Sequence, residues 1–357
     1  MRMRATIAGA VIAMVATGCS ADDGSESSST TGAVSTSVST SVSTGAPTST
    51  TAPVSSACSG VAPIAPGAEK VATTSGGVER TYWRAVPTSD EATAAMPLVL
   101  DFHGYQEGAD IHRVMSDLEG YGEEQGFVVV TPQGLGAIAR WDVAPDSADL
   151  AFVGDLLDEV EAAVCIDLDR VYATGLSNGA MMTTAVGCRY ADRIAAIAPV
   201  AGLQDPAGCD PVRPLPVLTF HGTADGFVAF DGGLGPDALD LPAPDGSGRT
   251  LGESGLLEGV DPGPSVPEIL AAWAARNGCD ATTEEEAIAD DVTIVAHDCA
   301  AGAETKLYRV EGGGHTWPGS EFSQTIANVV GVTTTSIVAN EVMWEFFLAH
   351  PRTAIGG

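Results

Sequence analysis

The chain of 357 residues predicts an α/β fold, a mostly parallel sheet covered by helices on both faces. Three observations lead there. Short runs rich in Val, Ile and Leu alternate with longer segments of helical period. The runs are apolar at nearly every position, as strands buried on both faces must be. One of them, residues 170–174, passes through Gly175-Leu176-Ser177-Asn178-Gly179 directly into a helix-like stretch at 180–186.

Taken in order, residues 70–74 and 78–83 read as two strands around the turn Gly76-Gly77. Residues 96–102 form an apolar strand that ends in His103-Gly104-Tyr105. A helix fits 110–125, with Ile111, Val114, Met115, Leu118 and Tyr121 on one face. A strand at 127–131 closes at Pro132-Gln133-Gly134, and 152–164 is helical with Phe152, Leu156, Val160 and Ala163 inward. After the 170–186 unit come strands at 193–198 and 216–220. Residues 231–263 break the rhythm: rich in Gly, Pro and Asp, without a period, they form either a lid over a site or a solvated insertion. A helix at 267–277, strands at 292–295 and 306–310, and a closing helix at 337–348 complete the domain, which is expected to span 58–357.

Strand, G-x-S-x-G, helix is the arrangement that lifts a serine onto a strained turn, above a helix N-terminus that favours negative charge. A serine hydroxyl is a weak nucleophile and needs a base, which in turn needs an acid to orient it. The chain has six histidines. His112 lies within a helix, His103 and His221 at strand ends in Phe-His-Gly segments, His297 in a strand, and His350 at a helix end. His315, in Gly312-Gly313-Gly314-His315-Thr316-Trp317, follows a strand on a glycine loop and is the expected base of Ser177. Asp225, just past the strand at 216–220, is the expected acid, with Asp231 the alternative. The oxyanion hole would use the backbone N–H of Asn178 and that of Tyr105 or Gly104. Trp317 and Trp141 are candidates for lining a substrate pocket, or for the core.

Composition bounds the partners. Acidic residues number 47 against 16 basic, a net charge of −31. Nucleic acid is excluded as a partner, because its phosphates need Lys and Arg. Met1-Arg2-Met3-Arg4 followed by an apolar segment at 5–16 reads as a signal peptide, residues 1–18, too short to span a bilayer. Ala16-Thr17-Gly18-Cys19 resembles a bacterial lipobox, with Ala16 where a branched residue is usual. It implies a lipid on Cys19 and a membrane as partner. Residues 19–57 read as a disordered Ser/Thr-rich linker. Export makes disulfides the expected state of Cys58, Cys165, Cys188, Cys209, Cys279 and Cys299. Cys279–Cys299 is the first expected pair, then Cys165–Cys188, which leaves Cys58–Cys209. No zinc-type spacing appears, and no metal or cofactor is expected.

Residues 98–105, 165–202 with Gly-Leu-Ser-Asn-Gly-Ala-Met-Met inside, 216–225 and 312–319 together resemble the secreted polyhydroxybutyrate depolymerase and feruloyl esterase family of α/β-hydrolases. So do residues 273–279 and 343–347. The resemblance implies a Ser177, Asp225, His315 triad that hydrolyses carboxylic esters without a cofactor. The substrate would be a polyester oligomer or a plant-polysaccharide ester. Two departures stand out: the long 231–263 insertion, and the lack of an appended polymer- or carbohydrate-binding module, which weighs against a solid polymer. A binding protein on the same fold and a serine peptidase are the alternatives.

Overall fold

Among the described residues, ten strands form one sheet in the order β1-β2-β4-β3-β5-β6-β7-β10-β9-β8. They are β1 (Gly67–Ser75), β2 (Val78–Val86), β3 (Met96–Phe102), β4 (Val128–Pro132), β5 (Ile166–Leu176), β6 (Ala196–Val200), β7 (Val217–Gly222), β8 (Thr283–Ala289), β9 (Val292–His297) and β10 (Thr305–Val310). Strands β4, β3, β5, β6, β7 and β10 are mutually parallel, and antiparallel pairs close both ends. This is the expected covered, mostly parallel sheet. The computed structural model describes residues 64–88, 95–300 and 302–352. The signal peptide, Cys19, the linker and Cys58 lie outside the described residues.

The helices sort onto the two faces by the alternation within each strand. Leu98, Leu100 and Phe102 of β3 face α3 (Ala148–Ala163) and α4 (Asn178–Arg189), with α6 (Val266–Arg276) on the same side. Val99, Val129, Tyr172 and Phe220 face α1 (Ala109–Ser116), α2 (Leu118–Gln125) and α9 (Ala339–Ala349). Each fully buried Leu or Phe contributes roughly 1.5–3 kcal/mol relative to exposure. The ends of α3 were set by chemistry that periodicity overlooks. The Ser147 hydroxyl accepts from Leu150 N and starts the helix before the first apolar residue of the pattern.

Three expectations about the elements need correction, and some elements were not foreseen. The helix foreseen at 110–125 is two helices, broken at Asp117, whose φ of 47° is left-handed. Ile111 and Val114, expected inward, are 41% and 61% exposed. The buried side of α1 instead carries His112 and Met115, because two carboxylates inside the protein draw the imidazole in. The strand foreseen at 193–198 begins only at Ala196, since Arg193 and Ile194 N–H groups still bond to Tyr190 O at the end of α4. And β8 was missed: its Thr-Glu-Glu-Glu-Ala-Ile-Ala sequence is exposed almost throughout, an acidic edge strand that discourages pairing with another chain. Two short helices, α7 (Glu321–Thr325) and α8 (Ala327–Val330), were likewise unforeseen, as was α5 (Leu251–Ser254) within the insertion.

Of the disulfides, Cys279–Cys299 forms as expected, whereas Cys188 bonds Cys209, not Cys165. That overturns both the Cys165–Cys188 and the Cys58–Cys209 expectations. Cys188, in the last turn of α4, meets the turn at Cys209, whose N–H bonds Pro206 O. Cys165 is also disulfide-bonded.

Candidate active site

Ser177 sits between β5 and α4 with φ 59° and ψ −121°, a conformation that costs a non-glycine residue of order 1–3 kcal/mol. Its N–H is held by Val200 O at 2.9 Å. The turn is possible only because its neighbours lack side chains. A Cβ on Gly179 would lie 1.9 Å from Phe102 O, and one on Gly175 2.5 Å from the same oxygen. Helix α4 thus begins against the end of β3 and leaves Ser177 at the crest.

Asp225 and His315 stand at the same edge of the sheet, since β5, β7 and β10 are parallel and their following loops share one end. His315 Nδ1–H donates to Asp225 Oδ2 at 2.7 Å. The other carboxylate oxygen, Oδ1, accepts from the N–H groups of Phe227 and Val228 at 2.8 and 2.9 Å, so the acid cannot rotate away. Burial alone would raise the Asp225 carboxyl. The His315 ring, then His221 and the Val228 N–H, outweigh it and hold it below the usual carboxylate range. Phe227 packs on the imidazole, with ring centroids 5.1 Å apart. The glycine loop makes this approach possible: a Cβ on Gly222 would fall 2.2 Å from Gly313 O. Asp231, the alternative acid, is exposed and makes no contact with the imidazole among the described residues.

Two backbone N–H groups beside Ser177, those of Asn178 and Tyr105, have no acceptor among the described residues. The Gly104 N–H, the other option, is already taken by Glu107 Oε2 at 2.6 Å. The Asn178 side chain is not free for substrate. Its Oδ1 accepts from Trp141 N at 2.7 Å and its Nδ2 donates to Trp141 O at 3.1 Å.

Of the two places the sequence left open for Trp141 and Trp317, pocket lining or core, both side chains pack inward. Trp141 is 2% exposed, donates Nε1–H to His103 O and packs on Phe102 and His103. Trp317 is 1% exposed, donates to Asn340 Oδ1 and meets His112 edge-on. His103 accepts from Gly134 N at Nε2 and donates from Nδ1 to Gly104 O, and burial lowers its pKa to about 4. It is a neutral structural imidazole. The sequence reading missed a buried charged trio beneath this loop. His112 Nε2 lies 2.7 Å from Asp101 Oδ1, and His112 Nδ1 3.1 Å from Glu107 Oε1. Glu107 is close enough in sequence to Gly104 to be noticed; Asp101 and His112 gave no such signal, one in an apolar strand and the other in a helix.

The 231–263 segment reaches this site. Tyr105 Oη donates to Pro242 O at 2.8 Å, tying the insertion to the loop that carries the free N–H. Among the described residues, no group of three or more His, Cys, Asp and Glu is placed to hold a metal ion.

Strand order, the serine on its strained turn and the acid–imidazole pair at one sheet edge define an α/β-hydrolase. No family model matches the chain. It is 30% identical over 281 residues to NocK of Nocardia uniformis subsp. tsuyamanensis, a protein named as an esterase, covering 74% of this chain and 77% of that one. It is 28% identical over 239 residues to feruloyl esterase B of Piromyces equi, covering 64% of this chain but only 41% of that protein. In structure it resembles an acetyl xylan esterase from Aspergillus awamori, with a TM-score of 0.53 at 14% identity, over 79% of this chain and 99% of that one. The chain belongs to the polyhydroxybutyrate depolymerase and feruloyl esterase family of α/β-hydrolases, and it is a carboxylic ester hydrolase.

Proposed function

We propose that Ser177, His315 and Asp225 form the catalytic triad of an exported serine carboxylesterase. The observation that carries this reading is the 2.7 Å hydrogen bond from His315 Nδ1–H to Asp225 Oδ2. It fixes the tautomer that leaves Nε2 with its lone pair for the Ser177 proton. Ser177 Oγ attacks the ester carbonyl as His315 takes its proton. The negative carbonyl oxygen is received by the N–H groups of Asn178 and Tyr105, and His315 then returns the proton to the leaving alcohol. Water, activated by the same imidazole, releases the acid from the acyl-enzyme.

The substrate is an ester of an aromatic, acetyl or hydroxyalkanoate acid, on the model of relatives named feruloyl esterase, acetylxylan esterase and poly(3-hydroxyalkanoate) depolymerase. Export rests on the basic and apolar N-terminal segment and on the disulfides at Cys188–Cys209 and Cys279–Cys299, which persist in oxidising compartments. Residues 1–18 are the signal peptide, Cys19 carries the lipid that holds the protein at a membrane, and 19–57 are the tether. The domain at 58–357 does the chemistry.

Wild-type protein should hydrolyse a short aryl ester and be labelled by a fluorophosphonate. Ser177→Ala should do neither. Turnover retained in Ser177→Ala would refute the assignment. Assay across feruloyl, acetylxylan and hydroxybutyrate esters then identifies the acyl group, and metabolic labelling with a fatty-acid analogue, lost in Cys19→Ser, tests the anchor.

A further inference from the structure

The loop that carries the Tyr105 N–H is held from below by charge. Three groups grip the two peptide units around Gly104. Glu107 Oε2 accepts from Gly104 N at 2.6 Å, His103 Nδ1–H donates to Gly104 O at 2.7 Å, and Glu107 N donates to Gly104 O at 3.3 Å. A trans peptide holds its C=O and N–H in opposite directions. Once the Gly104 carbonyl is pinned toward His103 and Glu107, the Tyr105 N–H of the same peptide must point the other way. Residue 104 is also beside the nucleophile, since a Cβ there would lie 3.6 Å from Ser177 Cβ.

Glu107 could not do this alone. It is buried, and an isolated buried carboxylate would take up a proton and lose its grip as an acceptor. It is flanked by His112, which lies within hydrogen-bond distance of both Glu107 oxygens at 3.1 and 3.2 Å. His112 in turn bonds Asp101, whose second oxygen accepts from the Ser116 hydroxyl at 2.7 Å. His112 is fully buried and Asp101 nearly so. Burial opposes a charge on His112, but Asp101 and then Glu107 push its pKa up to about 10, so it stays an imidazolium at neutral pH. The same imidazolium and the Gly104 N–H outweigh the burial of Glu107 and hold it below the ordinary range. The chain of contacts therefore runs Asp101, His112, Glu107, Gly104, and ends at the Tyr105 N–H.

We propose that Glu107, locked by the buried His112–Asp101 pair, is the positioning residue of the oxyanion hole. Its carboxylate removes the Gly104 N–H from contention and fixes the peptide before Gly104, and with the His103 ring and the Glu107 backbone N–H on the Gly104 carbonyl it leaves the Tyr105 N–H as the donor to the developing oxyanion. The proposal rests on the ester-hydrolysis reading above and adds to it which group sets the second donor.

Two variants test it. Glu107→Gln removes the charge that His112 answers. Glu107→Asp keeps the charge but is one methylene too short to reach Gly104 N. For each, kcat per active site, titrated by the fluorophosphonate, is measured beside KM and the thermal midpoint. A mispositioned donor lowers kcat by up to about 100- to 1,000-fold, the range for outright loss of one oxyanion donor. KM should stay within about twofold, because the donor acts on the transition state. Affinity for a trifluoromethyl ketone should fall in proportion to kcat, and a role in folding alone would not produce that. Unchanged kcat per titrated site, or a loss confined to KM, overturns the proposal. So does failure of both variants to fold, which would make the trio purely structural. If instead wild-type protein neither turns over ester nor takes the label, the ester reading itself has failed, whatever the variants do.

Discussion

His315 and Asp225, 90 residues apart in sequence, meet through a single 2.7 Å hydrogen bond on one carboxylate oxygen, while the other oxygen is committed to the backbone of Phe227 and Val228. The division of labour is useful. Oδ1 holds the acid in place and Oδ2 holds the imidazole, so a change at one oxygen can be made with the other kept.

Asp225→Asn exploits that division. The amide oxygen can retain the Phe227 and Val228 N–H bonds, leaving an NH2 group against His315 Nδ1. The imidazole must then accept at Nδ1 and carry its proton at Nε2, the wrong tautomer for taking a proton from Ser177. Turnover should fall by about 10⁴, with the melting curve close to wild type. Steady-state kinetics with a stopped assay and a thermal melt decide it. A loss below tenfold would mean that Asp225 does not orient the base.

The close approach of Gly179 to β3 makes a second prediction. Gly179→Ala would put a methyl 1.9 Å from Phe102 O and 2.6 Å from His103 O, so helix and strand must separate. The two N–H groups of the oxyanion site ride on those segments, Asn178 on the helix and Tyr105 on the loop after β3. Separation by about 1 Å costs roughly 100-fold in rate even where the fold survives. The overpacking itself costs about 1–3 kcal/mol or more. Denaturant unfolding and kcat/KM should both report the change. An active, equally stable Gly179→Ala would show that the elbow has room that the glycine does not need.

Such features mark the limit of what the chain reveals by itself. The elbow was legible because glycines at 175 and 179 flank a serine between strand-like and helix-like segments. His315 and Asp225 were legible because each follows a strand in the right chain order. The parallel sheet was legible from apolar runs. Elements specified by polar contacts were not. The face of α1 follows His112 into the protein and leaves Ile111 and Val114 outside, which a count of apolar positions reverses. Strand β8 is acidic and exposed, so nothing apolar announces it. Trp141 and Trp317 are large enough to line a pocket, and Trp317 lies two residues from His315. Their N–H groups instead find buried acceptors, His103 O and Asn340 Oδ1, and the rings go inward.

The Cys188–Cys209 bond closes a loop with a sequence separation of 21. By the chain-entropy model such a bond stabilises by about 3 kcal/mol. It joins the end of α4 to the segment before β7, away from Ser177 at the other end of the helix. The double variant Cys188→Ser, Cys209→Ser should therefore unfold at lower denaturant with kcat little changed. Chemical denaturation beside an ester assay measures both. A large drop in kcat with stability intact would mean that the bond shapes the site.

The two imidazoles around the oxyanion loop push stability in opposite directions with pH. His103 has its pKa lowered to about 4 by burial, against roughly 6.5 in the unfolded chain. Between those values the unfolded state binds a proton that the folded state refuses, so stability falls as pH drops from about 6.5 to about 4, by an amount on the order of 3 kcal/mol. His112 is raised to about 10 by Asp101 and Glu107. Its contribution is fully present below about 6.5 and is lost as pH rises from there toward about 10, because the folded state then holds a proton that the unfolded state has released. Replacing His103 by Gln should flatten the acid side of a stability–pH curve and leave the alkaline side sloping. Replacing His112 by Gln should lower stability at neutral pH and flatten the alkaline side. Urea unfolding at intervals from pH 4 to pH 10 reads both slopes. If the His112 variant keeps the wild-type alkaline slope, the buried imidazole is not the charged group that holds Glu107 beneath the Tyr105 loop.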